Sequence, residues 1–175
     1  MKKSIYDKKL TSLRPQITMN SFCLLLAEIA QYYLKIGRPY EEELLKLGEN
    51  IGYRVIELIY ARDKSLKRET KHIEMLRFVV NNVWKFMFDK VAENLERSKA
   101  LETQFMIKDS GIPILKFISE MYQDKIGSFL GGIIKGVLCS AGFTCKVECH
   151  KDKDKNQIVF IIDFDQSVID REKTK

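Results

Sequence analysis

After a polar opening, apolar residues begin to recur at helical spacing from Thr18 onward. Phe22, Leu25, Leu26, Ile29 and Tyr33 return every three or four positions behind the cap candidates Thr18 and Asn20. Gly37-Arg38-Pro39 ends that helix. Pro39 and the run Glu41-Glu42-Glu43 start a second, because proline and carboxylates both suit a first helical turn. Its stripe of Leu44, Leu47, Ile51, Val55 and Leu58 is broadened by Leu45, Ile56 and Ile59, which predicts burial on more than one side. The charged segment RDKSLKRETK (62–71) leads to a third helix carrying Ile73, Leu76, Val80, Val83, Trp84 and Met87, and then to a short helix around Val91 and Leu95. FMI (105–107) and ILKFI (114–118), near Gly111 and Pro113, read as two short strands. Residues 126–141 read as a helix, FTCKVECH (143–150) as an alternating strand and QIVFIIDF (157–164) as a continuous apolar strand, with KDKDKN (151–156) as the hairpin loop. The order of helices, strands, helix and strands predicts one α+β domain of about four to five helices packed on a small antiparallel sheet. It spans 17–165, between a flexible basic arm (1–16) and a polar tail (166–175) with one helical turn.

The stretch GSFLGGIIKGVLCSAGFTCKVECH (127–150) admits several chemistries. Ile126 to Cys145 is long enough to span a bilayer. However, Lys135 sits at its middle, where a lysine costs about 2.5–3.5 kcal/mol. Ile126, Phe129, Leu130, Ile133, Ile134, Val137, Leu138 and Ala141 also fall on one face, opposite Gly127, Gly131, Gly132, Lys135, Gly136 and Cys139. That division suits a helix packed on a core. Each glycine inside a helix costs about 0.5–1 kcal/mol relative to alanine, so the small face needs a close backbone, either this chain's own or a partner's. Gly142 suits the C-cap. A zinc site does not assemble: strand alternation turns His150 away from the cysteines, and Cys145 and Cys149 stand about 13 Å apart at ~3.3 Å per residue. GSFLGG lacks the spacing and the Lys-Ser/Thr of a phosphate loop.

Composition narrows the reading further. A chain of 175 residues with 45% hydrophobic and 31% charged residues suits one globular domain. The net charge of +6 points to an acidic partner, but Lys2, Lys3, Lys8, Lys9 and Arg14 against Asp7 leave +4 of it in the first fourteen residues. The remainder shows no basic stripe interleaved with aromatics, which argues against nucleic acid. No apolar segment follows Lys2-Lys3, so a secretory signal is not expected, and the four cysteines read as reduced thiols of a cytosolic protein. Asp152, Asp154 and Asn156 mimic the start of a calcium loop, but Gln157 stands where glycine is needed and Asp163 where glutamate is. His72 and His150 are far apart, and no nucleophile or acid–base motif stands out, so neither an enzyme nor a resident cofactor or metal is expected.

LLKLGENIGYRVIELIYARDKSLKRETK (44–71) resembles the second helix and following link of the Bet3-like small subunits of the transport protein particle, TRAPP. LRFVVNNVWKFMFDKVAENLE (76–96), SFLGGIIKGVLCSAGFTCKVECH (128–150) and IVFIIDFDQSVIDRE (158–172) extend the resemblance in order along the chain. The resemblance implies a non-catalytic structural subunit of a vesicle-tethering complex. That complex would act as a Rab guanine-nucleotide exchange factor in ER-to-Golgi traffic. The chain would be cytoplasmic and held peripherally at endoplasmic reticulum and cis-Golgi membranes through the complex. It would form a heterodimer with subunit three through the first two helices and contact subunit two at its other end. Phe22, Ile29, Tyr32, Tyr33, Leu47, Gly48, Ile51, Gly52 and Val55 are the expected partner-binding residues. Subunit three carries a palmitoylated cysteine after the second helix. Here Ser65, Leu66 and Lys67 occupy that link and Cys23 lies on the first helix, so that modification is not expected. The competing reading is a sensor for small hydrophobic ligands, as in the related vinyl-reductase-like domains.

Overall fold

A computed structural model describes residues 18–99, 101–119, 123–152 and 157–173. Helix α1 covers Met19–Lys35, with Thr18 accepting a hydrogen bond from the Ser21 N–H, and α2 covers Tyr40–Arg62 with Glu41, Glu42 and Glu43 in its first turn. Helix α3 is α-helical over His72–Phe78, widens to a π-turn over Val79–Val83 and returns to α over Trp84–Phe88. Strands β1 (Asn94–Arg97) and β2 (Gln104–Asp109) follow, then a 3-10 turn (Pro113–Phe117), α4 (Gln123–Ser140), β3 (Cys145–Asp152), β4 (Gln157–Phe164) and α5 (Gln166–Lys173).

The α+β class and the antiparallel sheet expected from the pattern are present; the sheet order is β1-β2-β4-β3. Three elements differ. Residues around Leu95 form strand β1, where a short helix was expected, because their side chains pair across β2, with Leu95 opposite Ile107. ILKFI is a 3-10 turn, not a strand: Pro113 opens it without an N–H, and Ile114 and Leu115 both face the core. The polar tail is a two-turn helix whose Val168 and Ile169 are buried. The basic arm at 1–16 and most of the hairpin loop, including Asp154 and Asn156, lie outside the described residues.

The sheet buries one face. Phe105 and Ile107 of β2, Val147 of β3 and Phe160, Ile162 and Phe164 of β4 meet the helices, while Met106, Ile161, Lys146 and Glu148 stand on the other side. The apolar run QIVFIIDF therefore alternates in burial. Trp84 sets its ring edge-on to Phe88 and Phe160, with centroids 5.3 and 5.6 Å away. The π-turn makes this placement possible. Val79 accepts the Trp84 N–H, one residue beyond α-helical reach, and the Val80 carbonyl takes the Ala92 N–H at 3.3 Å. The extra residue keeps Val79, Val80, Val83 and Trp84 all buried.

Under the sheet edge, Asp109 is fully buried and serves three donors: Trp84 Nε1 at 2.7 Å, Lys90 Nζ and the Gly111 N–H at 2.9 Å. A carboxylate removed from water needs this many partners to offset its desolvation. At the far end His72 sits between the rings of Phe105 and Phe164, and its Nδ1 is 2.9 Å from Glu172 of α5.

Helix α4 is central rather than one-sided. Its bulky residues are buried, and its glycines are buried as well. Gly132 lies over the Leu45 carbonyl of α2 and Gly136 over the Glu49 carbonyl; in return Gly48 lies over Phe129 and Gly52 over Ile133. Positions rise together on both helices, so α2 and α4 run in the same direction with backbones in contact. Gly127 and Gly131 face the other way, toward Cys149 and Val147 of β3. The backbone that the small face required is this chain's own. Past α4, the chain reverses at Gly142 (φ +87), with the Phe143 N–H bonded to the Leu138 carbonyl at 2.9 Å. Gly142→Ala should cost about 1–2 kcal/mol, since the left-handed backbone strains any residue with a β-carbon. Urea unfolding of the variant should show a lower midpoint at unchanged slope.

Candidate partner-binding surface

Helix α1 has more apolar positions than the core uses. Cys23, Leu26 and Ala30 face inward and are buried. Phe22, Ile29 and Tyr33 are half-buried beside them, with Phe22 touching Phe129 of α4 at a ring separation of 6.2 Å. Leu25 (55% exposed), Tyr32 (58%) and Ile36 (45%) then form a ridge at i, i+7 and i+11 that meets solvent. On the other side of the helix, Leu24 and Leu34 rim an apolar hollow of about 620 Å³ that runs past Ala27 and Ala30 to Tyr40, Phe117 and Ile126. Leu24 is 71% exposed and Phe117 58%.

On α2 the row Leu47, Ile51 and Val55 is half-buried, and Leu58, which continues it, is exposed. The expected partner residues therefore divide. Phe22, Ile29, Tyr32, Tyr33, Leu47, Ile51 and Val55 keep open surface on α1 and α2. Gly48 and Gly52 do not: both are buried, and a β-carbon on Gly52 would stand 2.9 Å from the Gly136 Cα. Those glycines serve the α2–α4 seam, which correction follows from the parallel approach of the two backbones. Sequence reading missed Leu24, Leu34, Ile36 and Phe117. For Leu24, Leu34 and Ile36 the available signal was the presence of large apolar residues off the inward stripe of α1; Phe117, in the 3-10 turn, carried none.

Charge borders this seam. Lys135 of α4 binds Glu49 of α2 at 2.8 Å, and Tyr53 donates to the same Glu49 at 2.9 Å. The Glu49 bond holds the Lys135 ammonium above its ordinary pKa and likewise raises the Tyr53 phenol. Cys23 is buried, its thiol donates toward the Ile114 carbonyl, and burial pushes its pKa up, so it is not a reactive thiol. Leu66, in the link after α2, packs half-buried against the core, and Ser65 is turned to Asp63. Among the described residues no cluster of three or more His, Cys, Asp or Glu could hold a metal ion, and no helix is long and apolar enough to cross a membrane.

The chain is an α+β domain with helices on one face of an antiparallel sheet and open apolar rows on its first two helices. Residues 22–165 match the family model of the transport protein particle (TRAPP) component, and the chain belongs to that family. Within it, the chain is similar to subunit 5 proteins over nearly its whole length. It is 36% identical to the trafficking protein particle complex subunit 5 of Dictyostelium discoideum over 96% of both chains. To the human subunit 5 it is 30% identical over 98% of this chain and 93% of that one. Among solved structures it resembles a trafficking protein particle complex subunit 3 from Naegleria fowleri covalently bound to palmitic acid, with a TM-score of 0.70 at 17% identity over 85% of this chain and 95% of that one. That likeness supports the Bet3-like fold.

Proposed function

We infer that this TRAPP component is a non-catalytic scaffold, which docks a subunit-three homologue through the open apolar rows of α1 and α2 and supports assembly of a Rab exchange factor in ER-to-Golgi traffic. The observation that carries the reading is the ridge of Leu25, Tyr32 and Ile36 beside half-buried Phe22 and Ile29. Large apolar side chains held exposed on an ordered helix mark a protein interface. Subunit two would bind elsewhere on the chain, and the cytoplasmic, peripheral residence at endoplasmic reticulum and cis-Golgi membranes would follow from the complex. The alternative, a hydrophobic-ligand sensor, would use the hollow beside Leu24 and Leu34. Its rim is exposed, a geometry that favours an inserted partner side chain over an enclosed ligand.

The test is co-expression with a subunit-three homologue. The wild-type pair should co-elute on size exclusion. Leu25→Glu with Tyr32→Glu should weaken pairing by several hundred-fold, since central interface residues cost about 2 kcal/mol or more each and every 1.4 kcal/mol is about tenfold. The same pair of changes should leave thermal unfolding within about 0.5 kcal/mol, as both residues are exposed. Independent monomers of the wild-type chain would overturn the reading. Nucleotide release from the Rab, measured with and without this subunit in the assembled complex, tests the exchange role.

A further inference from the structure

The charged link between α2 and α3, RDKSLKRETK (62–71), has no part in the scaffold reading. Its course is pinned at both ends. Leu66 packs half-buried against the core, the Tyr60 hydroxyl donates to the Lys67 carbonyl at 3.4 Å, and His72 is buried where α3 begins. Between these anchors residues 66–70 form no helix, strand or turn, and Lys71 is extended at φ −108 and ψ 141. Lys67, Arg68, Thr70 and Lys71 are exposed, and Glu69 is half-buried. The Thr70 hydroxyl bonds to none of the described residues.

An exposed, extended segment with a free hydroxyl suits the groove of a protein kinase, which must bring that hydroxyl in line with a phosphoryl group. Charge adds a direction. Lys67 and Arg68 stand three and two positions before Thr70, about 7–10 Å along an extended chain, where carboxylates of a kinase groove can pair with them. Among the described serines and threonines only Thr70 has cations at both positions. Ser65, in the same link, follows Arg62 by three residues but Asp63 by two. Its hydroxyl and its N–H both bind Asp63 in a turn, and Arg62 lies over the Phe86 ring. Thr70 is therefore the presented hydroxyl and Ser65 the occupied one. The link carries five cations against two carboxylates, an excess that a phosphate of charge about −2 would nearly cancel. Arg68 now donates to the Ala141 carbonyl at 3.4 Å, and a phosphate two residues away would offer it a charge-assisted bond about twice as strong.

We propose that Thr70 is a phosphorylation site for a basic-directed protein kinase, with ATP as the donor. The Thr70 oxygen attacks the γ-phosphorus. A new O–P bond forms, the bond from the γ-phosphorus to the bridging oxygen breaks, and ADP leaves. The hydroxyl proton passes to a carboxylate of the kinase.

The test incubates the folded full-length chain with ATP and the catalytic subunit of cyclic-AMP-dependent protein kinase, a basic-directed kinase, and assigns sites from fragment mass spectra. The first phosphate is expected on Thr70. Lys67→Ala with Arg68→Ala should slow its addition by at least about tenfold, the effect of losing one or more ion pairs to the groove. Thr70→Ser should still be modified at that position. All three positions are exposed, so circular dichroism of each variant should match the wild type. No incorporation into the folded chain, incorporation only after unfolding in urea, or an unchanged rate in the double variant would each overturn the proposal. So would a first phosphate on Ser65, or on Thr11, which follows Lys8 and Lys9 in the same spacing. The wild-type site map needs no variant to fold.

Discussion

Gly132→Ala combined with Gly136→Ala should destabilise the subunit by more than about 3 kcal/mol. Two effects compete. Alanine favours a helix over glycine by about 1 kcal/mol at each site. Against that, a β-carbon on Gly132 would meet the Leu45 carbonyl group and stand 3.0 Å from the Glu49 nitrogen, and one on Gly136 would meet the Glu49 carbonyl and stand 3.0 Å from the Gly52 Cα. These neighbours are backbone and cannot rotate away, so α2 and α4 must part along their length. Parting them opens voids around Leu44, Ile56 and Ile133, all buried now, and core voids cost several kcal/mol. Thermal unfolding should fall by roughly 6–12 °C at about 2–4 °C per kcal/mol. Gly131→Ala is the control on the same helix. Its β-carbon would meet the Val147 Cγ1 at 3.5 Å, an ordinary contact, so the helix preference should prevail and stability should hold or rise. Equal losses at Gly131 and at the Gly132–Gly136 pair would show that the seam is not what restricts these positions.

Asp109→Ala should cost about 3–5 kcal/mol. The change removes the acceptor of three donors at once: Trp84 Nε1, now 2.7 Å from a carboxylate oxygen and almost wholly buried, the Gly111 N–H at 2.9 Å, and the part-exposed Lys90 ammonium. A buried donor left unmade costs its full desolvation, about 1–3 kcal/mol, and more for a charge. Asp109→Asn should cost less, because the amide oxygen still accepts from Trp84 while the charge opposite Lys90 is lost. Urea unfolding of both variants checks the order, and a loss for Asp109→Ala no greater than for Asp109→Asn would place the stabilisation elsewhere in the sheet edge.

The architecture was legible where one physical signal dominated. Helical spacing placed α1 and α2, the alternation of FTCKVECH placed β3, and glycine marked the reversal at 142. The same signals misled where burial was settled by a neighbour. NLER carries no alternation of apolar residues, yet pairs as β1 because β2 supplies the ladder. ILKFI has strand composition, but Pro113 and the need to bury Ile114 and Leu115 together bend it into a 3-10 turn. Val168 and Ile169 look minor in a polar tail, yet both are buried, and Glu172 of the same helix is held by His72 of α3. At the partner surface the row on α2 was visible as surplus apolar positions, while on α1 Leu25 was read into the inward stripe although it is exposed, and the assignment of Gly48 and Gly52 to a partner failed because spacing cannot say which backbone comes close.

Taken alone, the order of residues determined the class of fold and the presence of a small-residue face on the helix at 126–141, since these follow from periodicity and local backbone preference; the family followed from resemblance of whole segments, not from periodicity. Only the tertiary structure decided what that face meets. Gly132 and Gly136 lie on α2, and Gly127 and Gly131 on β3, because two parallel helices and a sheet compete for the same narrow side. Distances across a fold are set by packing, and packing is not written at any one position of the chain.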